Sequence, residues 1–267
     1  MPVTNRLSSV AWLGQSAASV TDTASTDGSV LLIPVGALEQ HGPHLPTGTD
    51  TVLAEAVTMA AAEKLADRVP VLVTPPVWAG VSPHHRPFGG TVDAGVESLR
   101  DSLLRVLNSA ADNEFDAVIL INGHGGNENI VGAVTQEAGH KHPELLVSSL
   151  FYLDLAEETL QAVRESEVTG VHSGEVETSL MLHVAPDTVE IEHAETVIQS
   201  DPNPHTRDDL FDTGPLSVYR SYDEYTDTGS VGDPTRATAK KGARLFDAVI
   251  DELGAVVESL HREAQSN

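Results

Sequence analysis

The chain has 267 residues, no cysteine, and a formal net charge of −25 from 40 Asp and Glu against 15 Lys and Arg. The missing thiols exclude disulfides, thiolate metal sites and cysteine nucleophiles, so any metal must sit on His, Asp and Glu. The negative field excludes nucleic acid and anionic membrane surfaces as partners.

The acids are spread between apolar periods rather than gathered in a tail. That is the surface expected of a halophilic protein, because molar salt shortens the Debye length to about 3 Å and screens self-repulsion. Residues 1–28 are polar and rich in Thr and Ser, without the charged start and apolar run of a signal peptide. No window nears the roughly 18 apolar residues of a membrane span, so a cytoplasmic protein is expected.

The first apolar run, Val30 to Gly36, is too short for a helix and rich in branched residues, which predicts a buried strand. Glu39, Gln40, His41 and His44 follow its carboxyl end, and Asp50 stands at the head of an Ala-rich helix predicted over 51–66. Asp50 alone reads as a helix N-cap. Together with Glu39 and His41, at the sheet edge where α/β proteins collect ligands, it completes a donor set for a divalent cation.

A second strand is predicted over 69–77, stopped by its prolines. The loop from Trp78 to Thr91 sets His84, His85 and Arg86 among Gly and Pro, the composition of a functional loop. Neighbouring side chains diverge, so ligand duty for both histidines is not expected, whereas substrate contact by one of them is. Val96, Leu99, Leu103, Val106 and Leu107 have helical spacing within a helix predicted over 94–113.

The most strand-like run, 115–121, ends in Asn122-Gly123-His124-Gly125-Gly126-Asn127, a Gly-rich turn into a helix predicted over 128–140. The spacing matches neither GxGxxG nor GxxxxGK[ST], so a nucleotide is not expected there. What remains is His124, one step past a strand end, among glycines that let the backbone crowd a ligand.

A fourth strand over 145–152 and a helix over 155–165 follow. Ser173 and Gly174 then open another helix, in which Glu175 and Glu177 point to different faces. Glu177 lies on the Leu180 and Met181 side and is expected inward, where a carboxylate needs a partner. Glu175 is expected to be an ordinary capping carboxylate. Residues 201–232 read as an irregular acidic arm, a surface excursion or an interface. A last helix over 235–261 carries Leu245, Val249, Leu253, Val256, Val257 and Leu260 on one face. The alternation of strand and helix predicts one domain, 1–267, on a parallel sheet.

Loops after parallel strands converge at one edge, bringing Glu39, His41, Asp50, His124 and Glu177 together. Five donors suffice for two metals if one carboxylate bridges, and two ions can hold a hydroxide and polarise the attacked carbonyl. His172 is then the spare acid/base, with an ordinary pKa of about 6.5 suited to protonating a leaving nitrogen.

Five segments, LIPVGALEQHGPHLPTGTD (32–50), SPHHRPFGGT (82–91), NGHGGN (122–127), HSGEVETS (172–179) and GDPTRATAKKG (232–242), resemble in order those of the creatininase (creatinine amidohydrolase) family. The resemblance implies a Rossmann-like α/β/α sandwich, two divalent ions, hydrolysis of amide-type C–N bonds and a homohexamer. Zn, Mn and Fe all suit such an oxygen and nitrogen site. It also implies Glu39, His41, Asp50 (bridging), His124 and Glu177 as metal ligands and His172 as the catalytic histidine.

Members that act on creatinine itself carry a Tyr and a metal-binding Glu where this chain has Gly125 and Gly126. They also close over the flat substrate with tryptophans, which this chain lacks near His172 in sequence. The Gly-Gly form is that of the wider family, which includes the archaeal formamidopyrimidine deformylase and a peptidase of mycofactocin maturation. The expected substrate is a small heterocyclic amide, cyclic or a formamide, in a pocket bordered by His85, Arg86, Gly125 and Gly126. Creatinine hydrolysis and non-catalytic binding of a metal or small ligand are the alternatives.

Overall fold

Strands β1 (Val30–Val35) and β3 (Ala117–Asn122) are buried at every position, so both faces of the sheet they form have to be covered. The computed structural model describes residues 7–166, 172–198, 203, 205–206 and 215–266. Its sheet has the order β2-β1-β3-β4, with β2 at Val71–Val73 and β4 at Leu146–Phe151, and every neighbouring pair is parallel.

Side chains alternate between two layers. Val30, Leu32, Ile119 and Ile121 join a core with α2 (Thr49–Leu65), α5 (Glu157–Val163), α6 (Glu175–Val184) and α7 (Ala239–Ala264). Leu31, Ile33, Val118 and Leu120 join a second core with α1 (Ala17–Ala24), α3 (Val96–Asp112) and α4 (Glu128–Lys141). The result is the expected α/β/α sandwich. Leu103 and Leu107 of α3 and Leu245, Val249 and Leu253 of α7 are fully buried as their spacing predicts, each such side chain contributing about 1.5–3 kcal/mol.

Four expectations change. The strand predicted over 69–77 contracts to Val71–Val73, because Pro70, Pro75 and Pro76 cannot donate to a ladder; Val77 returns only as a single bridge to Val35. Helix α1 lies in the stretch read only as polar and rich in Thr and Ser, capped by Ser16 and burying just Val20 and Ala24. Gly48, not Asp50, takes the N-cap position of α2, which frees the Asp50 carboxylate for another partner.

The fourth concerns the arm. Residues 201–202, 204 and 207–214 lie outside the described residues, but the end of the arm is no surface excursion. Tyr222–Glu224 forms a 3-10 turn closed by a Ser221/Glu224 capping box. Val231 then exchanges backbone hydrogen bonds of 2.9 and 3.2 Å with His172. Among the described residues no helix is long and apolar enough to cross a membrane.

Surface ion pairs such as Lys64–Asp251, Arg68–Glu258 and Arg100–Glu137 close at 2.6–2.7 Å, each exposed pair being worth about 0–1 kcal/mol. Pairing every Lys and Arg would still leave the −25 excess of carboxylates. The melting temperature is therefore expected to climb from dilute buffer to molar KCl as repulsion is screened. A flat profile would show that net charge does not govern stability here.

Candidate metal centre

The loops after β1 and β3 and the first turns of α2 and α6 meet at the carboxyl edge of the sheet. They bring Glu39, His41, Asp50, His124, His172 and Glu177 into one cluster, as the sequence predicts. Asp50 is at its middle and 2% exposed. Its Oδ1 lies 3.0 Å from His41 Nε2 and its Oδ2 3.2 Å from His124 Nδ1. On the outer side His41 Nε2 lies 3.9 Å from Glu177 Oε1, and His124 Nε2 lies 3.3 Å from Glu39 Oε2.

Second nitrogens set the tautomers. His41 Nδ1 faces the Glu39 carbonyl at 3.1 Å, which accepts its proton's hydrogen bond, so that Nε2 is the donor atom once the ring gives up its second proton. His124 Nε2 faces the Val81 carbonyl at 3.1 Å, which leaves Nδ1 toward Asp50.

Both oxygens of Glu39 and Oδ2 of Asp50 are buried with no aligned hydrogen bond. Buried carboxylate oxygens without a hydrogen bond are expensive, and a bound cation would satisfy them. Donor atoms of Glu39, His41 and Asp50 all lie within 4.8 Å of one another, as do those of His41, His172 and Glu177. The donors are oxygen and nitrogen only, so the residues fit Zn, Mn or Fe, with Asp50 offering one oxygen to each side.

The electrostatics follow from burial and from this interleaving of charge. Burial pulls His41 down, but Asp50, Glu177 and Glu39 outweigh it and push the imidazole up to about 10. For His124 burial is outweighed by Glu39 and Asp50, and the ring is pushed up to about 9. Burial raises Glu39 and Asp50, yet His124 beside the first and His41 beside the second hold both carboxyls below their ordinary values. Burial prevails at Glu177, pushed up to about 7. Burial and the neighbouring His41 also set His172 well below its ordinary value and His44 at about 4.

Supports for the cluster come from residues not assigned a role in the sequence. Asn127 accepts the Val81 N–H at 2.9 Å and donates to the Gly36 carbonyl at 3.0 Å, tying the three loops together. Asn122 donates to the His124 carbonyl at 2.8 Å. Ser173 has φ +57°, a left-handed conformation costing a non-glycine residue about 1–3 kcal/mol. That conformation aims its N–H at Glu177 Oε2, 2.6 Å away.

The two glutamates of α6 exchange the roles expected for them in part. Glu177 meets both its partner His41 and the helix-start N–H of Ser173. Glu175, read as a capping carboxylate, is instead 3% exposed. It accepts the N–H groups of Glu165 and Ser166 at 3.1 and 2.8 Å and pairs with Lys241. A spacing of two separates the faces but does not say which one is inward.

The loop histidines also differ from expectation. His84 offers a donor atom within 4.8 Å of donors on Glu39 and His124, and His85 Nε2 lies 3.2 Å from Glu39 Oε1. Both rings thus reach the cluster, because the 3-10 turn Pro83–Phe88 curls over it. Arg86 is exposed and makes none of the cluster's hydrogen bonds or ion pairs. At Gly125 a Cβ would meet open space, whereas at Gly126 it would lie 2.4 Å from His124 Nε2 and from the Val81 carbonyl. Gly126 therefore makes room for the His124 ring.

A buried set of carboxylates and imidazoles at the carboxyl edge of a parallel sheet defines a metallohydrolase-type site. The family model for creatininase (creatinine amidohydrolase) matches residues 16–257. The chain belongs to the creatininase family and is a hydrolase acting on carbon–nitrogen bonds.

The mycofactocin precursor peptide peptidase of Mycobacterium ulcerans is 32% identical over 246 residues, covering 90% of this chain and 89% of that protein. The creatinine amidohydrolase of Pseudomonas putida is 26% identical over 243 residues, covering 85% and 88%. A solved creatininase mutant of Zn–Zn type, 22% identical, has the same fold with a TM-score of 0.79 over 93% of this chain and 96% of that one. A formylaminopyrimidine monophosphate deformylase of Methanobrevibacter ruminantium matches over 95 residues, 35% of this chain, at 30% identity. The likeness to the deformylase branch is thus confined to one stretch.

Metal uptake should be coupled to proton release. His41 and His124, at about 10 and about 9, carry protons at neutral pH, and a ligating nitrogen must give its proton up. Affinity for Zn(II) is therefore expected to rise with pH through 7 and 8 and to level off above about 10. Calorimetric titration in buffers of different ionisation enthalpy measures the protons released, and a pH-independent affinity would contradict the assignment.

Proposed function

We propose that this chain is a metal-dependent amidohydrolase that cleaves an amide C–N bond of a small heterocyclic substrate, either a cyclic amide or a formamide. The observation that carries the reading is the Asp50 carboxylate, with its two oxygens directed at two different imidazoles. Glu39, Asp50 and His124 would hold one divalent cation, and His41, Asp50 and Glu177 the other. When bound, such a pair supplies Lewis-acid polarisation of the scissile carbonyl and activation of water.

The proton work falls to His172. Its Nε2 lies 2.7 Å from the Gln40 carbonyl, an acceptor only, so the ring carries its proton there. Nδ1 is then the basic atom, and it faces the cluster, 3.6 Å from Glu39 Oε1. Burial and the adjacent imidazoles keep the ring neutral at pH 7. A proton taken at Nδ1 is held weakly and is readily delivered to the leaving nitrogen.

A second reading, cleavage of an amide bond in a peptide, is favoured by the 32% identity to the mycofactocin peptidase against 26% to the creatinine amidohydrolase. The open space at Gly125 suits either substrate. The substrate would lie beside His85, Arg86, Gly125 and Gly126, where His85 also meets Glu39 at 3.2 Å and Gly126 lies against His124. On the family resemblance and the charge of −25, the working form is a cytoplasmic homohexamer in a salt-rich cell.

Chelation should abolish turnover of cyclic amides, formamides or short peptides, and Mn or Zn should restore it. His172→Ala should keep its metal content yet lose about 10²–10⁴-fold in kcat, the range for a lost acid/base. Turnover that survives chelation would refute metal dependence. Metal lost from the His172 variant would make that residue a ligand instead.

A further inference from the structure

Gln40 stands between two cluster residues in sequence and is 6% exposed. Its carboxamide orientation is fixed by partners of opposite kind. Oε1 accepts the Gly42 N–H at 2.9 Å, and Nε2 donates to the Gly229 carbonyl at 2.9 Å. The second Nε2 hydrogen has two nitrogens in reach, His85 Nδ1 at 2.7 Å and His172 Nε2 at 3.3 Å. His172 Nε2 already carries a proton toward the Gln40 carbonyl, so it cannot accept. The hydrogen goes to His85 Nδ1, which puts the His85 proton on Nε2, the atom facing Glu39 Oε1 at 3.2 Å.

The far end of this chain of contacts is the arm. Gly229 has φ +84°, and a Cβ there would lie 2.0 Å from Gln40 Oε1, so the approach requires glycine. The Tyr222 ring covers His85, with centroids 4.3 Å apart.

We propose that Gln40 is a positioning residue that latches the 222–232 end of the arm to Glu39 through His85. This rests on the reading that Glu39 is a metal ligand. Seating the arm and orienting the Glu39 carboxylate are then one event, because the same carboxamide serves both. Without the amide, His85 is free to change tautomer and turn its lone pair toward the carboxylate.

The test uses the full chain stripped of metal and titrated with Zn(II) and Mn(II) against a chromophoric chelator. Gln40→Met keeps the length of the side chain and removes its hydrogen bonds, and Gly229→Ala breaks the latch from the arm side. Each is expected to weaken metal affinity about 10–100-fold, the usual effect of losing an outer partner of a ligand. The double variant should be no weaker than the weaker single one, since both remove one link. The melting temperature of the stripped Gln40→Met protein should stay near that of the wild type. Wild-type affinity in folded Gln40→Met or Gly229→Ala, or full additivity of the two, overturns the latch. Glu39→Gln separates the two claims: if it weakens binding while Gln40→Met does not, only the latch fails. If Glu39→Gln binds as the wild type does, the ligand assignment falls and the latch with it.

Discussion

The structure is organised around one buried carboxylate held between two imidazoles. Moving an ion of that size from water into the interior costs several kcal/mol, even after relaxation. Asp50 sits on the first turn of α2 at almost no exposure, so the surrounding chain has to supply opposite charge at close range. His41 does so from the end of β1 and His124 from the end of β3, neighbouring strands in exact parallel register from Val30 and Ala117 onward. Each imidazole is then backed by a further carboxylate, Glu177 or Glu39, and the pattern of alternating charge extends outward.

That pattern explains otherwise odd local choices. Gly126 carries no side chain because His124 occupies the space. Ser173 accepts a left-handed conformation because Glu177 needs its N–H. Asn127 ties the loops together with two hydrogen bonds from one side chain. None of these adds to the two apolar cores, which supply the stability that such a charged centre draws on. A bound cation would return some of it, since a ligand at 100 times its Kd stabilises the folded state by about 2.7 kcal/mol.

How much was legible in the sequence follows from range. Strand β1, strand β3 and helix α7 declare themselves through long runs of one period, and the donors after β1 and β3 through their place past a strand end. Helix α1 hides because it buries only Val20 and Ala24 behind Thr and Ser. The burial of Glu175 depends on Lys241, 66 residues away, and the role of Gln40 on Gly229, 189 residues away. No local pattern encodes such contacts. Neighbouring side chains are expected to diverge, but in the curled 3-10 turn the His84 and His85 rings lie 4.2 Å apart and both reach Glu39, a geometry that residue identity alone does not convey.

The central claim is that Asp50 serves both sides of the centre, and metal content measures it most directly. Elemental analysis of purified wild-type chain should find about two divalent ions per chain, as expected of a carboxylate-bridged pair. Asp50→Ala, still folded by circular dichroism, should lose both together. An Asp50→Ala protein that keeps either ion at full occupancy would contradict the shared-carboxylate account.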